Sequence, residues 1–222
     1  MTNSTYRKKY QPLPPDTPVP KVHIAPGKWM FWELWAGTGH LTKAVSRLGL
    51  TCGPPITKEL GWDLSLASHQ QALMKMYLEH EPEIVFGAPV CGPWSQSNTN
   101  MDPTIKDLLR KEQMEAFLFF HRLVQLQHEN HRYFLIENPR SSELLNQPLC
   151  LDLLKKYGGN DKVTRMCSHG LMDIDSGKSY MKQTTLRGDV SLHKSIRWCK
   201  CTTSHELMQG HNRNGSLRTA SA

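Results

Sequence analysis

The sequence predicts an α/β domain: a mostly parallel sheet with flanking helices. Three observations predict it. Short apolar runs alternate with stretches of helical periodicity. Several of those runs are closed by glycine or proline, as buried parallel strands are. No internal repeat and no membrane-length apolar span points to another architecture.

Lys28 to Trp35 is the first apolar run, and it ends in Ala36-Gly37-Thr38-Gly39, a strand entering a tight turn. Leu41, Ala44, Val45 and Leu48 then recur at helical spacing over His40 to Leu48, with Gly49 placed to end that helix. Leu50 to Ile56 reads as a second strand. Ser68 to Glu79 reads as a helix with Leu73, Met76 and Tyr77 on one face. Glu83 to Phe86 is a third strand, which enters a loop at Gly87. The strongest helix runs from Asp107 to Glu129. Thr104 and Asp107 suggest a capping box at its start, and Leu108, Leu109, Met114, Phe117, Leu118, Val124 and Leu126 form its apolar stripe. Arg132 to Ile136 is another strand, followed by the loop Glu137-Asn138-Pro139. Leu149 to Tyr157 is helical and stops at Gly158-Gly159, and short strands and loops follow from Lys162.

Residues 1–27 carry Pro12, Pro14, Pro15, Pro18, Pro20 and Pro26 and read as an extended, poorly ordered arm. Its Arg7-Lys8-Lys9 cluster is either a phosphate contact or a solvated tail. Residues 28–211 form a single domain, and residues 212–222 a frayed polar tail.

The 222 residues include 27 Lys and Arg against 20 Asp and Glu, a net charge of +7. Such a surface suits a polyanion such as nucleic acid, or serves only solubility. The six cysteines are Cys52, Cys91, Cys150, Cys167, Cys199 and Cys201, too irregularly spaced in too long a chain for a small disulfide scaffold. Met1 to Lys28 holds no apolar signal region. The expectation is an intracellular protein, nuclear or cytoplasmic, neither secreted nor membrane-bound, with reduced thiols.

In an open α/β sheet, ligands bind outside the carboxyl ends of the strands. Three unusual loops follow three predicted strands and so share one rim: Ala36 to Gly39, Gly87 to Ser95, and Glu137 to Arg140. In the first, two glycines allow a ligand close to the backbone. Thr42 stands where a dinucleotide fingerprint has its last glycine, which weakens a nicotinamide reading. Downstream, Glu59 and Asp63 are acidic candidates for ribose hydroxyls. Equally, Glu59 is a surface charge and Asp63 a helix or turn cap. In the second loop, Pro89 and Pro93 stiffen the backbone around Cys91, which is placed for attack unless it is a buried, inert thiol. Glu137 adds a carboxyl on the neighbouring loop, or a salt-bridge partner, and Asn138 a group able to hydrogen-bond across the site.

The order Glu33-Leu34-Trp35-Ala36-Gly37-Thr38-Gly39, then Gly87-Ala88-Pro89-Val90-Cys91-Gly92-Pro93-Trp94-Ser95, then Glu137-Asn138-Pro139 resembles the cytosine carbon-5 DNA methyltransferase family, over roughly residues 29–140. It is similar to the compact members found in phages and mobile elements, whose third loop is often Glu-Asn-Pro. The resemblance implies a Rossmann-like methyltransferase fold and S-adenosylmethionine as cofactor, bound by Glu33, Trp35, Ala36, Gly37, Gly39, Glu59, Asp63 and Pro89. It implies Cys91 as nucleophile at cytosine carbon-6 and Glu137 as the acid at the adjacent ring nitrogen. It places Trp94, Ser95, Asn138 and Arg187 at the substrate, with Trp94 equally well explained as packing. The base must leave the stack to react.

Two departures stand out. Val90 replaces the family's second proline before the nucleophile. The later Gln-x-Arg-x-Arg motif has only Gln183 and Arg187, at another spacing, although Lys182-Gln183-Thr184 is similar to the Lys-x-Thr of compact members. About 80 residues follow the Glu-Asn-Pro loop, so the target-recognition region is expected to be reduced or absent. That leaves room for a protein partner in target recognition.

DNA stands ahead of RNA as substrate, with an RNA methyltransferase of the same chemistry as the alternative. A second alternative is an inactive, methyltransferase-like module that binds nucleic acid or a partner. Amino-methylating enzymes are disfavoured, because no Asp/Asn/Ser-Pro-Pro-aromatic loop occurs. No metal is expected. Cys167, Cys199, Cys201 and His205 are zinc candidates, but Cys-x-Cys is tighter than a common finger, and packed or surface cysteines are the plainer reading.

Overall fold

The structure is a computed structural model that describes residues 13–96, 101–173 and 175–206. The Arg7-Lys8-Lys9 cluster and the 212–222 tail lie outside the described residues. The expected Rossmann-like α/β fold is present. Five strands, β1 (Phe31–Leu34), β2 (Ile84–Gly87), β3 (Tyr133–Pro139), β4 (Asn160–Arg165) and β5 (Gln183–Gly188), form one sheet in the order β1-β2-β3-β5-β4. β1, β2 and β3 pair in parallel, whereas β5 runs antiparallel to both β3 and β4. The sheet is therefore parallel at its start and closes on an antiparallel edge. The helices are α1 (His40–Arg47), α2 (Ala67–His80), α3 (Pro103–Glu129) and α4 (Pro148–Tyr157).

All four residues of β1 are buried, as expected of a strand covered on both faces. Trp32, Val85 and Phe134 are register partners, as are Leu34, Gly87 and Ile136. Their shared face carries the main core, where α3 crosses β2 and β3 and packs on α4. Gly87 is required there, since a Cβ would lie 2.7 Å from Cε2 of Phe120. Phe31, Glu33 and Phe86 point to the opposite face.

Four sequence expectations are corrected. Leu50 to Ile56 runs alongside β1 but is not a continuous strand: bridges at Cys52 and Ile56 flank Pro54-Pro55, which have no N–H to donate. The long helix begins at Pro103 with Asp102 as its cap, Oδ1 accepting from Ile105 N at 3.1 Å, instead of using a Thr104–Asp107 box. β3 runs on through Glu137, Asn138 and Pro139, so these three residues are strand and not loop. Residues 13–27, expected within a poorly ordered arm, have no helix or strand yet make specific contacts. Thr17 O meets His69 Nε2 at 3.1 Å, Ala25 O accepts from Trp29 Nε1 at 3.1 Å, and Gly27 O meets His80 Nδ1 at 2.8 Å. Val22 and Ile24 pack against the core.

At the pole opposite the loops, one buried side chain ties four elements together. Gln127 of α3 donates through Nε2 to Pro82 O (3.1 Å), Glu83 O (3.2 Å) and Tyr133 O (2.7 Å), and its Oε1 accepts from Tyr77 OH of α2 at 2.7 Å. Burial pushes the Tyr77 phenol up to about 12, so it stays a neutral donor. Replacing Gln127 by Leu strands the Tyr77 hydroxyl and the carbonyls. The expected loss is about 2–3 kcal/mol, read as a lower urea midpoint with an unchanged slope.

Candidate active site

The carboxyl ends of β1, β2 and β3 bring the first two loops and the last residues of β3 to one rim. The first begins at Trp35, whose φ of 54° is left-handed, a conformation that costs a bulky residue about 1–3 kcal/mol. Its indole lies 5.6 Å from the Phe120 ring. Ala36 N donates to Ile56 O and Gly39 N to Ala36 O, at 2.9 and 2.8 Å, closing the turn. Gly37, with φ 54°, has nothing within 4 Å of where a Cβ would project, so its backbone is open to a ligand. Gly39, with φ 66°, instead sits against Pro55.

Glu33 does not reach into that opening. Its Oε2 accepts from Thr42 N at 2.8 Å and Thr42 Oγ1 at 2.5 Å. The carboxylate thus satisfies the amino end of α1, where a negative charge is favoured. This also explains the residue at the fingerprint's third position: the Thr42 hydroxyl is a partner of Glu33.

The two downstream acids differ. Glu59 lies in a short turn, Lys58–Leu60, just beyond the Ile56 bridge to Leu34, and is exposed with its carboxylate on the Thr57 hydroxyl. Asp63 is buried and committed. Oδ1 accepts from Ser65 N (2.9 Å) and Oγ (2.6 Å), and Oδ2 accepts from Leu13 N (3.2 Å) with Lys58 Nζ 3.4 Å away. Burial opposes its charge, but Ser65, Lys58 and the Leu13 amide outweigh that and hold its pKa below the usual range. Asp63 is a turn cap and an anchor for the arm. It has no oxygen left for a ribose.

The Cys91 loop is held from two sides. On one, Asn138 donates through Nδ2 to Pro89 O at 2.7 Å, a buried bond from β3 to the loop after β2. On the other, α3 grips the turn Gly92–Trp94: Arg110 Nε donates to Pro93 O at 3.0 Å, its guanidinium lies 4.7 Å over the Trp94 ring, and Trp94 Nε1 donates to Gln113 Oε1 at 2.5 Å. Arg110 also pairs with Glu143. Trp94 is therefore packing, buried under Arg110, and does not line an opening. Ser95 bridges to Ser142 and closes the loop's far end. Cys91 caps the turn with φ −84° and ψ −11°, is half-buried, and forms no disulfide. Arg110 and Gln113 escaped the sequence reading because, one helical turn apart on a long helix, they look like a solvated face.

Glu137 lies on β3 between the buried Ile136 and Asn138, on the face opposite to theirs, and is half-buried. Burial raises its pKa, against the opposing pull of Lys182 and the Thr184 hydroxyl. Arg187, expected at the substrate, is elsewhere. It is buried, bidentate to Asp161 at 2.7 and 2.8 Å, and donates through Nη1 to Leu145 O and Cys150 O at 2.6 and 3.2 Å. β5 brings Gln183 to the rim in its place, where Arg140 donates from N and Nη1 to Gln183 O and Oε1 at 3.0 and 2.6 Å. A surface depression of about 770 Å³, lined in part by Gln70, Met74, Phe119 and Arg122, lies between α2 and α3 and touches none of these loops.

No protein-family model matches the chain, and no curated protein matches it. Among solved structures, the chain is similar to the Dnmt2 methyltransferase of S. pombe, with a TM-score of 0.42 and 14% identity over 72% of this chain and 49% of that one. The chain thus spans about half the length of that protein.

The raised pKa of Glu137 has a consequence for stability. The fold favours the protonated acid, so its contribution is full below the unfolded-state value of about 4.3 and is lost as pH rises through the higher folded-state value. Glu137→Gln removes this dependence. In urea titrations the variant matches wild type in acid and becomes the more stable protein at pH 8.

Proposed function

We propose that the chain is an S-adenosylmethionine-dependent methyltransferase acting on carbon-5 of cytosine, in DNA ahead of RNA. The observation that carries the reading is the clamp between Asn138 and Pro89. It binds the loop bearing the thiol to the strand bearing a carboxyl of raised pKa. Thiol and acid then act on one planar ring from neighbouring strand ends.

Cytosine carbon-5 is a weak nucleophile. Attack of the Cys91 thiolate on carbon-6 makes a carbon–sulfur bond and pushes the ring's π electrons towards carbon-5 and the ring nitrogen next to the exocyclic amine. Glu137 supplies the proton that this nitrogen takes up, and the burial that raises its pKa favours the protonated acid. The bound cofactor supplies an electrophilic methyl group. After carbon-5 has taken it, a base removes the carbon-5 proton, the double bond reforms and Cys91 leaves. Asn138 is a positioning residue in this scheme.

The cofactor fits the residues of the first loop. Gly37 leaves open backbone, the strained Trp35 offers a ring, Ala36 closes the turn, and Glu59 presents an exposed carboxylate for ribose hydroxyls. Glu33 and Asp63 support the loops and are not assigned contacts. Pro89 presents its carbonyl to Asn138, which fixes the loop between β2 and Cys91. The net charge of +7, with Lys182 facing Glu137 and Arg140 on Gln183 just past the end of β3, supports a nucleic-acid partner. Among the described residues no helix is long and apolar enough to cross a membrane.

The test is transfer of label from methyl-labelled S-adenosylmethionine to cytosine-containing DNA and to structured RNA. Label is expected in DNA, absent for Cys91→Ala, and reduced by roughly 10²–10⁴-fold for Glu137→Gln. Label only in RNA overturns the choice of DNA. Label in neither overturns the activity.

A further inference from the structure

The last described segment of the chain has too little core to hold itself in place. Among the described residues between 166 and 206, Cys167 and Tyr180 alone join the buried apolar residues, and residues 189–206 contribute none. Nor does residues 189–206 hold a helix or a named strand. The segment is nevertheless laid in a defined path across the end of β4. Arg165 N donates to Arg197 O at 3.2 Å, Arg197 N to Thr164 Oγ1 at 3.2 Å, and Ser168 Oγ to Trp198 O at 2.7 Å. Glu206 N then donates to Ser179 O at 2.9 Å. Such polar contacts to a largely exposed strap are each worth about 0.5–1.5 kcal/mol, and no apolar burial in residues 189–206 adds to them.

What this path brings together is a set of soft ligands. Cys167 comes from the turn Met166–His169 after β4, and Cys199, Cys201 and His205 from the strap. Their Sγ and imidazole nitrogen atoms all lie within 4.8 Å of one another. Cys199 Sγ is 3.3 Å from His205 Nε2. Bonds of about 2.3 Å to sulfur and 2.0–2.1 Å to nitrogen, arranged as a tetrahedron, put ligand atoms about 3.5–3.8 Å apart. A metal therefore needs the cluster to contract by no more than about 1 Å, on a strap with room to move. The tight Cys-x-Cys spacing has its own use: the Cys201 amide points at Cys199 Sγ, 3.4 Å away, a donor suited to a thiolate that ligates a metal. His169, the other histidine nearby, is taken by Thr164 Oγ1 at 2.8 Å and is not in the set.

We propose that Cys167, Cys199, Cys201 and His205 bind a single structural zinc ion that staples the strap to the end of β4. A set of three cysteines and one histidine with every position filled by protein is the chemistry of a structural and not a catalytic zinc site. β4 points the same way as β3, so Cys167 lies on the rim that carries Glu137. Met166 N donates to Lys182 O at 2.9 Å, which ties the metal's turn to the lysine that faces Glu137. The site is independent of the proposed methyl transfer and stands or falls on its own.

The experiment uses the full chain, purified without a histidine tag or chelator in reducing buffer. Metal is counted by mass spectrometry of the native protein and by elemental analysis. One zinc per chain is expected. Cobalt, exchanged for it, is expected to give the intense visible bands and near-ultraviolet charge transfer of tetrahedral thiolate ligation. Cys199→Ser and His205→Ala are expected to lower zinc retention at least tenfold under a competing chelator, and Cys52→Ser to leave it unchanged. Chelation of wild type is expected to speed amide exchange in residues 165–170 and 197–206 while β1 to β3 hold. A reduced chain that takes up no zinc when supplied with it overturns the proposal. So does zinc held equally well by the Cys199→Ser variant. The cobalt spectrum of wild type decides the matter even if the variants misfold.

Discussion

One buried hydrogen bond governs the geometry of the rim: Asn138 Nδ2 on Pro89 O, at 2.7 Å. It is made possible by strand length. β2 ends at Gly87, level with Ile136, but β3 continues to Pro139 because β5 pairs with Glu137, Asn138 and Pro139 from the other side. The antiparallel edge thus carries β3 past its parallel neighbour. An amide at its second extra position reaches the neighbour's loop. In apolar surroundings that bond is costly to break, since both partners would be left without water. The thiol-bearing loop is held from the sheet side by this bond and from the helix side by Arg110 and Gln113.

Three carboxylates of the chain sit in three different settings. Glu33 is buried on the Thr42 amide and hydroxyl at a helix start, where a carboxylate is welcome. Asp63 is buried with its oxygens filled by Ser65 and Leu13 and a lysine beside it, and its pKa falls. Glu137 is half-buried with less compensation, and burial raises its pKa. What separates them is how far the donors each acid meets offset its burial. Only the last combines a site at the strand ends with a raised pKa.

The alternation of elements and the first two rim loops were legible because strand-to-helix punctuation by glycine and proline is local, whereas the third expected loop is the end of β3. Gly37 and Gly39, Cys91, Glu137 and Asn138 all fall on the expected rim. What the sequence could not convey depends on distant partners. Arg187 reads as a substrate contact, and Asp63 as ribose ligand or cap alike, until the fold pairs them with Asp161, Ser65 and Leu13. Trp94 reads as pocket or packing alike, and Arg110 above it decides for packing. The strand at Leu50 to Ile56 failed for a local reason that was visible, Pro54-Pro55. The arm's contacts through Thr17, Ala25 and Gly27 use backbone carbonyls, which composition does not reveal. Cys167 and the strap cysteines are some thirty residues apart in sequence, and only the path of β4 and the strap makes them neighbours.

The central claim is that Cys91 attacks a cytosine ring held by Glu137. The most direct measurement is covalent capture on oligonucleotides in which cytosine is replaced by 5-fluorocytosine. There carbon-5 cannot lose a proton, so the thiol adduct persists after methyl transfer. With S-adenosylmethionine present, wild type is predicted to form a denaturation-resistant complex whose linked peptide contains Cys91, and Cys91→Ser is predicted to form none. No adduct on DNA or RNA substrates, or an adduct mapped to another cysteine, would contradict the account.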